Sequence, residues 1–243
     1  RDAAIAAGAP ENCVQWITQP SMEATTALMN HEGIATILAT GGNAMVKAAY
    51  SCGKPALGVG AGNVPAYVEK SANIRQAAHD IVMSKSFDNG MVCASEQAVI
   101  IDKEIYDEFV EEFKSYHTYF VNKKEKALLE EFCFGAKANS KNCAGAKLNP
   151  NIVGKSAVWI AEQAGFTVPE DTNILAAECK EVGEKEPLTR EKLSPVIAVL
   201  KSEDTEDGLK KARQMVEFNG LGHSAAIHTK DETLAKHFGT EIK

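Results

Sequence analysis

The fold class of this chain is decided by the stretch IATILATGGNAMVKAAYSC at residues 34–52. Residues 34–39 are mostly apolar, which predicts a buried strand. Gly41 and Gly42 follow and predict a turn, and residues 43–52 then predict a helix. A buried strand that runs through a tight turn into a helix is typical of an α/β fold with a parallel sheet.

The same alternation of strands and helices continues along the chain. Further strands are predicted at residues 14–18, 56–59, 66–68, 98–101, 174–177, 196–200 and 224–227, and further helices at 21–30, 74–85, 103–114, 124–132, 155–163 and 205–216. Ser21 is the expected N-cap of its helix. Because the strands are nearly continuous apolar runs, we expect a parallel sheet with helices on both faces. The segment 136–150, rich in Ala, Asn, Gly and Lys, predicts a loop.

The composition limits the classes of function. The 243 residues are 44% hydrophobic and 24% charged, as is usual for a globular protein, and the formal net charge is −7. A negative chain with scattered basic residues disfavours a nucleic acid partner. No apolar run approaches the ~20 residues that cross a bilayer, so we expect no membrane insertion. The chain starts without Met, at what reads as the end of a helix, so we expect a fragment.

The cysteines are spread along the chain, at Cys13, Cys52, Cys93, Cys133, Cys143 and Cys179. They form no Cys-x-x-Cys pair, and the histidines do not lie at ligand spacing from them. We therefore expect no metal site. Free thiols of this kind fit a reducing, cytoplasmic setting.

One cysteine, Cys93, lies on a polar turn within SFDNGMVCASEQ, residues 86–97. Reactive thiols need partial exposure and nearby groups that favour the thiolate, which Lys85 and the N–H groups of the turn could supply. A lone cysteine is nevertheless more often a small buried apolar residue. The turn marks a candidate nucleophile, and we place a domain boundary near residues 90–97, where ligand sites concentrate.

Two glycine-rich segments are candidate ligand sites. At Thr40-Gly41-Gly42, the free N–H groups that open the following helix favour an anion, although an ordinary turn would also need glycine. The segment GVGAGN at residues 58–63 fails as a dinucleotide fingerprint, because Asn63 stands at the third glycine position and a strand follows. It could still mark a close approach of the backbone to a ligand or to another segment.

Glu191 and His223 complete the candidates, and taken alone each is better explained as structural. Glu191 reads as a solvated residue beside a turn, and His223 as a hydrogen-bonded structural group. The chain has no Gly-x-Ser-x-Gly motif, no Walker loop and no His-Glu-x-x-His motif. Thiol chemistry with a nucleotide cofactor is the possibility that remains.

Together these segments resemble the aldehyde dehydrogenase superfamily, and most closely the CoA-acylating acetaldehyde dehydrogenase half of bifunctional aldehyde–alcohol dehydrogenases. The matching segments, in the family's order, are residues 39–42, 54–63, 87–97 and 191–195. The resemblance covers the whole chain, and the motif around Cys93 is specific. It implies the C-terminal part of a Rossmann-like NAD-binding domain at residues 1–92 and an α/β catalytic domain, truncated at its end, at residues 93–243.

The resemblance also implies roles for single residues. Cys93 is then the nucleophile, and the residues that bind NAD are Thr40, Gly41, Gly42, Gly58, Gly60 and Glu191. The glycine turn after Thr40 lies against the pyrophosphate of NAD, and Glu191 holds the nicotinamide ribose. CoA is the expected cosubstrate.

Gly58 departs from the pattern of the hydrolytic members of the superfamily. Those enzymes have at this position a glutamate that activates water, so this chain lacks a local general base for hydrolysis. A free thiol has a pKa of ~8.5 and its thiolate is a strong nucleophile, which favours CoA as the acyl acceptor. We expect a reversible, NAD-dependent conversion of acetaldehyde or another short aldehyde to acyl-CoA, through a thiohemiacetal and an acyl-thioester on Cys93.

Two alternatives stay open: a hydrolytic aldehyde dehydrogenase, and a non-catalytic nucleotide-binding or filament-forming scaffold. The resemblance further implies a homo-oligomer, with filaments formed by the full-length protein. It places an oxyanion-hole asparagine before Arg1 and an iron-dependent alcohol dehydrogenase half after Lys243. The fragment by itself could therefore be inactive.

Overall fold

The computed structural model describes residues 1–135 and 147–242. The chain divides into two compact units, Arg1–Gly60 and Ala61–Lys243. In each unit, helices alternate with strands that pair in parallel, which confirms the predicted α/β fold. Most of the predicted loop at 136–150, together with Cys143, lies outside the described residues.

The first unit contains a two-stranded parallel sheet. Its elements are α1 (Asp2–Ala6), α2 (Met22–Asn30), β1 (Ile37–Thr40), α3 (Asn43–Ser51) and β2 (Ala56–Val59). The two strands lie side by side with Ile37 opposite Ala56. The predicted cap of α2 is confirmed, because the Ser21 hydroxyl accepts the Ala24 N–H at 3.0 Å.

One strand predicted in this unit is wrong. Residues 14–18 form no strand, and their side chains are exposed. The Trp16 ring is 66% exposed and lies under the Arg1 guanidinium. The apolar character of this segment suggested a strand, but a strand needs a neighbouring strand to satisfy its backbone groups, and none pairs with these residues.

A second strand begins later than predicted. The sequence predicts it at 34–39, whereas β1 begins at Ile37. The Ile34 N–H donates to the His31 carbonyl oxygen at 3.0 Å. The turn occupies the Ile34 N–H, which a strand that began at residue 34 would have needed for pairing with a neighbouring strand.

The second unit contains a parallel sheet whose strands, within the described residues, lie in the order β5-β6-β7-β4-β3-β8. Its elements are β3 (Pro65–Val68), α4 (Ile74–Ser86), β4 (Ala98–Asp102), α5 (Tyr106–Ser115), β5 (Thr118–Phe120), α6 (Lys123–Phe134), α7 (Ala157–Ala164), β6 (Ile174–Cys179), β7 (Val196–Ser202), α8 (Thr205–Asn219), β8 (Ala226–His228) and α9 (Glu232–Glu241). In the centre of the sheet, Tyr67 of β3 lies opposite Ile100 of β4.

Each face of this sheet carries its own apolar core. On one face, Ile81 of α4 and Phe109 of α5 pack against the strands. On the other face, Leu129, Ile160 and Met215 bring α6, α7 and α8 onto the sheet. All residues of β4 are buried. Burial on both faces explains why the central strands read as nearly continuous apolar runs, and the predicted two-sided cover is confirmed.

The sequence interpretation missed β5 and α9 and shifted the start of α5. β5 spans three residues, too few for an alternating pattern to be recognised. α5 begins at Tyr106 and not at residue 103, because the Ile105 N–H closes a turn on the Asp102 carbonyl oxygen. Of the predicted loop at 136–150, the described part runs into a 3-10 turn at Pro150–Ile152.

The predicted domain boundary near residues 90–97 falls within the second unit, between α4 and β4. The division into a cofactor domain and a catalytic domain stays a prediction. Within the described residues, the helices are too short or too polar to span a bilayer.

Candidate active site

Cys93 lies in the connection between α4 and β4. α4 ends at Ser86, a 3-10 turn spans Phe87–Gly90, and β4 begins at Ala98. Cys93 is a free, partly buried thiol. Partial exposure on a turn is the setting that a reactive thiol needs. Its assignment as the nucleophile stays a prediction.

The 3-10 turn before this cysteine has an unusual backbone. Asp88 and Asn89 have φ angles of 48° and 50°, a left-handed conformation that residues other than glycine seldom adopt. The Asn89 side-chain amide donates to the Gly154 carbonyl oxygen at 3.0 Å. Gly90 follows with φ 68°, and a Cβ there would lie 2.5 Å from the Ser194 carbonyl oxygen. Two neighbouring segments therefore hold the turn in one conformation.

Gly62 joins three distant parts of the second unit. Its N–H donates to Glu191 Oε1 at 2.8 Å. A Cβ on Gly62 would lie 2.5 Å from the Cys93 carbonyl oxygen and 2.9 Å from Nδ1 of His223. Cys93, Glu191 and His223 therefore converge on one glycine. The close approach predicted for the segment 58–63 is confirmed at this residue.

Sequence reasoning included Gly62 in the segment 58–63 without naming its partners, and it gave His223 only a structural role. No local spacing relates these residues to Cys93, because they meet through the packing of separate segments. Gly62 does not have a positive φ, so backbone conformation does not explain why glycine stands there. The close approach of the Cys93 carbonyl and the His223 ring explains why only glycine fits at this position.

The electrostatics of the site centre on Glu191 and His223. Burial raises the pKa of the Glu191 carboxyl, while the Gly62 N–H and the nearby His223 act to lower it. Nδ1 of His223 accepts the Ser224 N–H at 2.9 Å. A neutral imidazole then carries its proton on Nε2. The site offers a carboxylate acceptor and an imidazole donor next to the Cys93 backbone.

The other predicted cofactor residues lie in the first unit. Thr40 ends β1, and Gly42 is the N-cap of α3, with no side chain to accept the first N–H groups of the helix. The Gly41 N–H donates to the Val59 carbonyl oxygen at 3.2 Å. A Cβ on Gly42 would meet no atom within 4 Å, so the start of α3 is open. The start of a helix offers backbone N–H groups and the positive end of the helix dipole, which fit a phosphate or pyrophosphate.

Gly58 and Gly60, by contrast, are crowded. A Cβ on Gly58 would lie 2.6 Å from Cγ1 of Val46 and 3.0 Å from Cε2 of Tyr50. A Cβ on Gly60 would lie 2.7 Å from Oδ1 of Asn43. α3 therefore packs directly onto the backbone of β2 and the residues after it. A side chain at position 58 would require α3 to move.

Comparison with known proteins identifies the family. The model of the aldehyde dehydrogenase family matches residues 2–243. The chain belongs to the aldehyde dehydrogenase family. This aldehyde dehydrogenase chain is 91% identical over 243 residues to the aldehyde-alcohol dehydrogenase of Streptococcus pneumoniae serotype 4. The alignment covers all of this chain and 28% of that relative, so the chain spans less than a third of the relative's length.

Two solved aldehyde dehydrogenase structures share the fold. The acetylating aldehyde dehydrogenase from Geobacillus thermoglucosidasius has a TM-score of 0.88 and 44% identity, and the match covers 98% of this chain and 50% of that one. The propionaldehyde dehydrogenase from Rhodopseudomonas palustris, solved with bound CoA and an acylated cysteine, has a TM-score of 0.84 and 31% identity, with coverage of 99% and 52%. The family membership expected from the sequence motifs is confirmed.

Proposed function

We propose that this chain is part of a CoA-acylating, NAD-dependent aldehyde dehydrogenase that reversibly converts acetaldehyde, or another short aldehyde, and CoA to acyl-CoA. The observation that carries the proposal is the convergence of Cys93, Glu191 and His223 on Gly62. The acetylating activity named for one structural neighbour, and the CoA and acylated cysteine of another, support it.

Cys93 is the proposed nucleophile. Its thiolate sulfur bonds to the aldehyde carbon, and the carbonyl oxygen becomes the oxyanion of a thiohemiacetal. NAD, when bound, would supply the acceptor for the hydride that leaves this carbon. An acyl-thioester on the Cys93 sulfur results. The sulfur of a CoA thiolate then bonds to the acyl carbon while the bond to Cys93 breaks, which regenerates the Cys93 thiolate.

Five of the proposed cofactor residues belong to the first unit and one, Glu191, to the second. The open start of α3 at Gly41 and Gly42, after Thr40, would hold the pyrophosphate through backbone N–H groups. The Glu191 carboxylate would accept hydrogen bonds from the hydroxyls of the nicotinamide ribose. By family resemblance, Gly58 and Gly60 complete the cofactor site. Use of NAD instead of NADP belongs to the same proposal.

Within this chain, His223 is the proposed side-chain donor to the oxyanion, in addition to the asparagine that the family resemblance places before Arg1. The Ser224 N–H occupies Nδ1, which leaves the Nε2 proton of the neutral ring to donate. A backbone N–H near Cys93 would be the second donor. Loss of one oxyanion donor lowers the rate by about 10²–10³-fold in other enzymes, so this role is large enough to measure.

The acyl acceptor is CoA in this proposal, and not water. Position 58 carries no side chain, and the Val46 and Tyr50 side chains occupy the space that one would need. A carboxylate that activates water at this position is therefore excluded by packing as well as by sequence. A CoA thiolate needs no such base to attack the thioester.

We also propose that the chain acts within a longer cytoplasmic protein that carries an iron-dependent alcohol dehydrogenase half and forms homo-oligomers or filaments. The name of the 91% identical relative, and the 28% of it that the chain covers, support the second half. Oligomers and filaments follow from the family resemblance alone.

One assay tests the reaction. The purified full-length protein is given acetaldehyde and NAD, with and without CoA, and NADH is followed by absorbance. Formation of NADH that strictly requires CoA is the expected result. Equal rates without CoA would indicate a hydrolytic enzyme, and no turnover with Cys93 intact would indicate a non-catalytic scaffold.

A further inference from the structure

A buried lysine, Lys192, directly follows Glu191 in the chain. The Lys192 side chain has no exposed surface. Its Nζ donates to three backbone carbonyl oxygens, those of Leu188 at 2.6 Å, Arg190 at 2.7 Å and Gln97 at 3.0 Å. An ammonium group has three protons to donate, and a neutral amine has two. The three carbonyls therefore offer an acceptor to each proton of the charged form.

Gln97 links this cation to the Cys93 turn. Its Oε1 accepts the Lys192 N–H at 3.0 Å and Nζ of Lys85 at 3.3 Å. Its Nε2 donates to the Ser95 carbonyl oxygen at 3.1 Å. Lys85 belongs to α4, which precedes the turn, whereas Ser95 and Gln97 follow it. One connected set of hydrogen bonds thus joins both sides of the Cys93 turn to the segment that carries Glu191.

Stability alone does not explain two buried lysines at this place. In the described part of the chain, the hydrogen-bond partners of both ammonium groups are carbonyl, amide and hydroxyl oxygens, and no carboxylate. Burial lowers the pKa of Lys85 well below its usual range, and that of Lys192 to about 7. An apolar side chain in place of a buried charge often stabilises a fold at least as well. The buried Lys192 side chain is better explained by the backbone groups that it orients.

We propose that Lys192 is a positioning residue for Glu191 and, through Gln97, for the Cys93 turn. Because the Lys192 ammonium donates hydrogen bonds to the carbonyl oxygens of Leu188 and Arg190, it fixes the backbone on the N-terminal side of Glu191. That backbone conformation directs the Glu191 carboxylate to the Gly62 N–H. The inference rests on the proposed function in one respect: orienting Glu191 matters for catalysis only if Glu191 holds the nicotinamide ribose.

The test compares Lys192→Met with Lys211→Met in the full-length protein. Lys211 is a matched control, because its side chain is also largely buried, donates to a backbone carbonyl, that of Lys201 at 2.6 Å, and pairs with Asp207. These partners belong to β7 and α8 and not to the segment 187–192. In Lys192→Met, we expect the Kd for NAD to rise about tenfold to a hundredfold, since small displacements of positioning groups have effects of this size. The control should keep its wild-type Kd.

Hydrogen exchange at the Gly62 amide gives a readout that does not depend on activity. In Lys192→Met, exchange at Gly62 should accelerate more than about tenfold, beyond what the change in global stability explains. Wild-type exchange at Gly62 together with a wild-type Kd would overturn the inference. So would an acceleration that only matches the loss of global stability, because a merely structural role predicts that result.

The two proposals fail separately. A wild-type protein that neither binds NAD nor oxidises acetaldehyde refutes the proposed function, while exchange at Gly62 still decides the role of Lys192. If Lys192→Met does not fold, Lys192→Arg replaces it. Arginine keeps the charge, but its donors lie in one plane and do not converge on three carbonyls as the Lys192 ammonium does. Wild-type affinity and wild-type Gly62 exchange in Lys192→Arg would overturn the inference.

Discussion

Gly42 in the first unit and Gly62 and Gly90 in the second differ in what surrounds them. In the second unit, a Cβ on Gly62 or Gly90 would lie 2.5 Å from a backbone oxygen of another segment. In the first unit, Gly42 at the start of α3 faces open space. The surroundings of Cys93 are therefore set by packing between distant segments, whereas the proposed pyrophosphate turn is set by local helix geometry.

The two units also differ in the size of their apolar cores. The buried apolar cluster of the first unit consists of Ile37, Ala39 and Ala49. Large apolar side chains there, such as Leu38 and Leu57, stay 76% and 66% exposed. The second unit buries an apolar core on each face of its sheet. Substitutions in the second unit should therefore act through stability and function together, and those in the first unit's open turn mainly through ligand binding.

The largest expected effect belongs to the thiol in the crowded site. Cys93→Ala should lower CoA-dependent NADH formation by more than about 10³-fold, because it removes the proposed nucleophile. Cys133→Ala and Cys179→Ala are the controls. Burial raises the pKa of both thiols to about 12, so they stay protonated at neutral pH. If either of these variants or Cys13→Ala lost turnover while Cys93→Ala kept it, the site assignment would be wrong.

Gly62→Ala tests whether packing determines the site. Its Cβ would collide with the Cys93 carbonyl and the His223 ring. We expect the free energy of unfolding to fall by about 1–3 kcal/mol, as for other overpacked positions, and turnover to fall as well. Urea denaturation and the NADH assay measure the two effects. An alanine variant with unchanged stability and unchanged turnover would remove the proposed distinction between the units.

The buried lysines of the second unit predict a pH dependence of stability. In the unfolded chain, Lys192 keeps its proton up to the usual pKa of 10.5, whereas burial lowers its pKa in the fold to about 7. Between these values the unfolded state binds more protons, so the free energy of unfolding should rise with pH from about 7 upward. Urea denaturation at pH 7 and pH 9 measures the rise. It should be smaller in Lys192→Met, and an equal rise in that variant would show that Lys192 is not its source.

The smallest effect on stability is expected in the open turn. Gly42→Ala should change the free energy of unfolding by less than about 1 kcal/mol, because the added methyl group meets no atom. The affinity for NAD should nevertheless fall, since the methyl group would occupy space next to the first N–H groups of α3. Gly58→Ala is the matched crowded variant, and its Cβ would contact Val46 and Tyr50. If both variants were equally stable, crowding would not distinguish these positions.

The predictions from sequence that were wrong also show the difference between local signals and contacts with distant segments. The strand predicted at 14–18 is absent because apolar character is a local signal, whereas a strand exists only where a partner strand pairs with it. The start of β1 shifted because a turn at Ile34 took its backbone N–H. The Ser21 cap was correct because capping depends on residues within one helical turn.

By itself, the sequence determined the α/β fold, the turn that carries Cys93 and the family resemblance. These depend on the period of apolar residues and on turn residues, which act over a few positions along the chain. Only the tertiary structure brought Gly62 to Glu191, 129 residues away, and placed His223 and Cys93 against the same glycine. It alone also showed the ammonium of Lys192 among its backbone carbonyls. These contacts arise where separately packed segments meet, and no rule of local spacing encodes them.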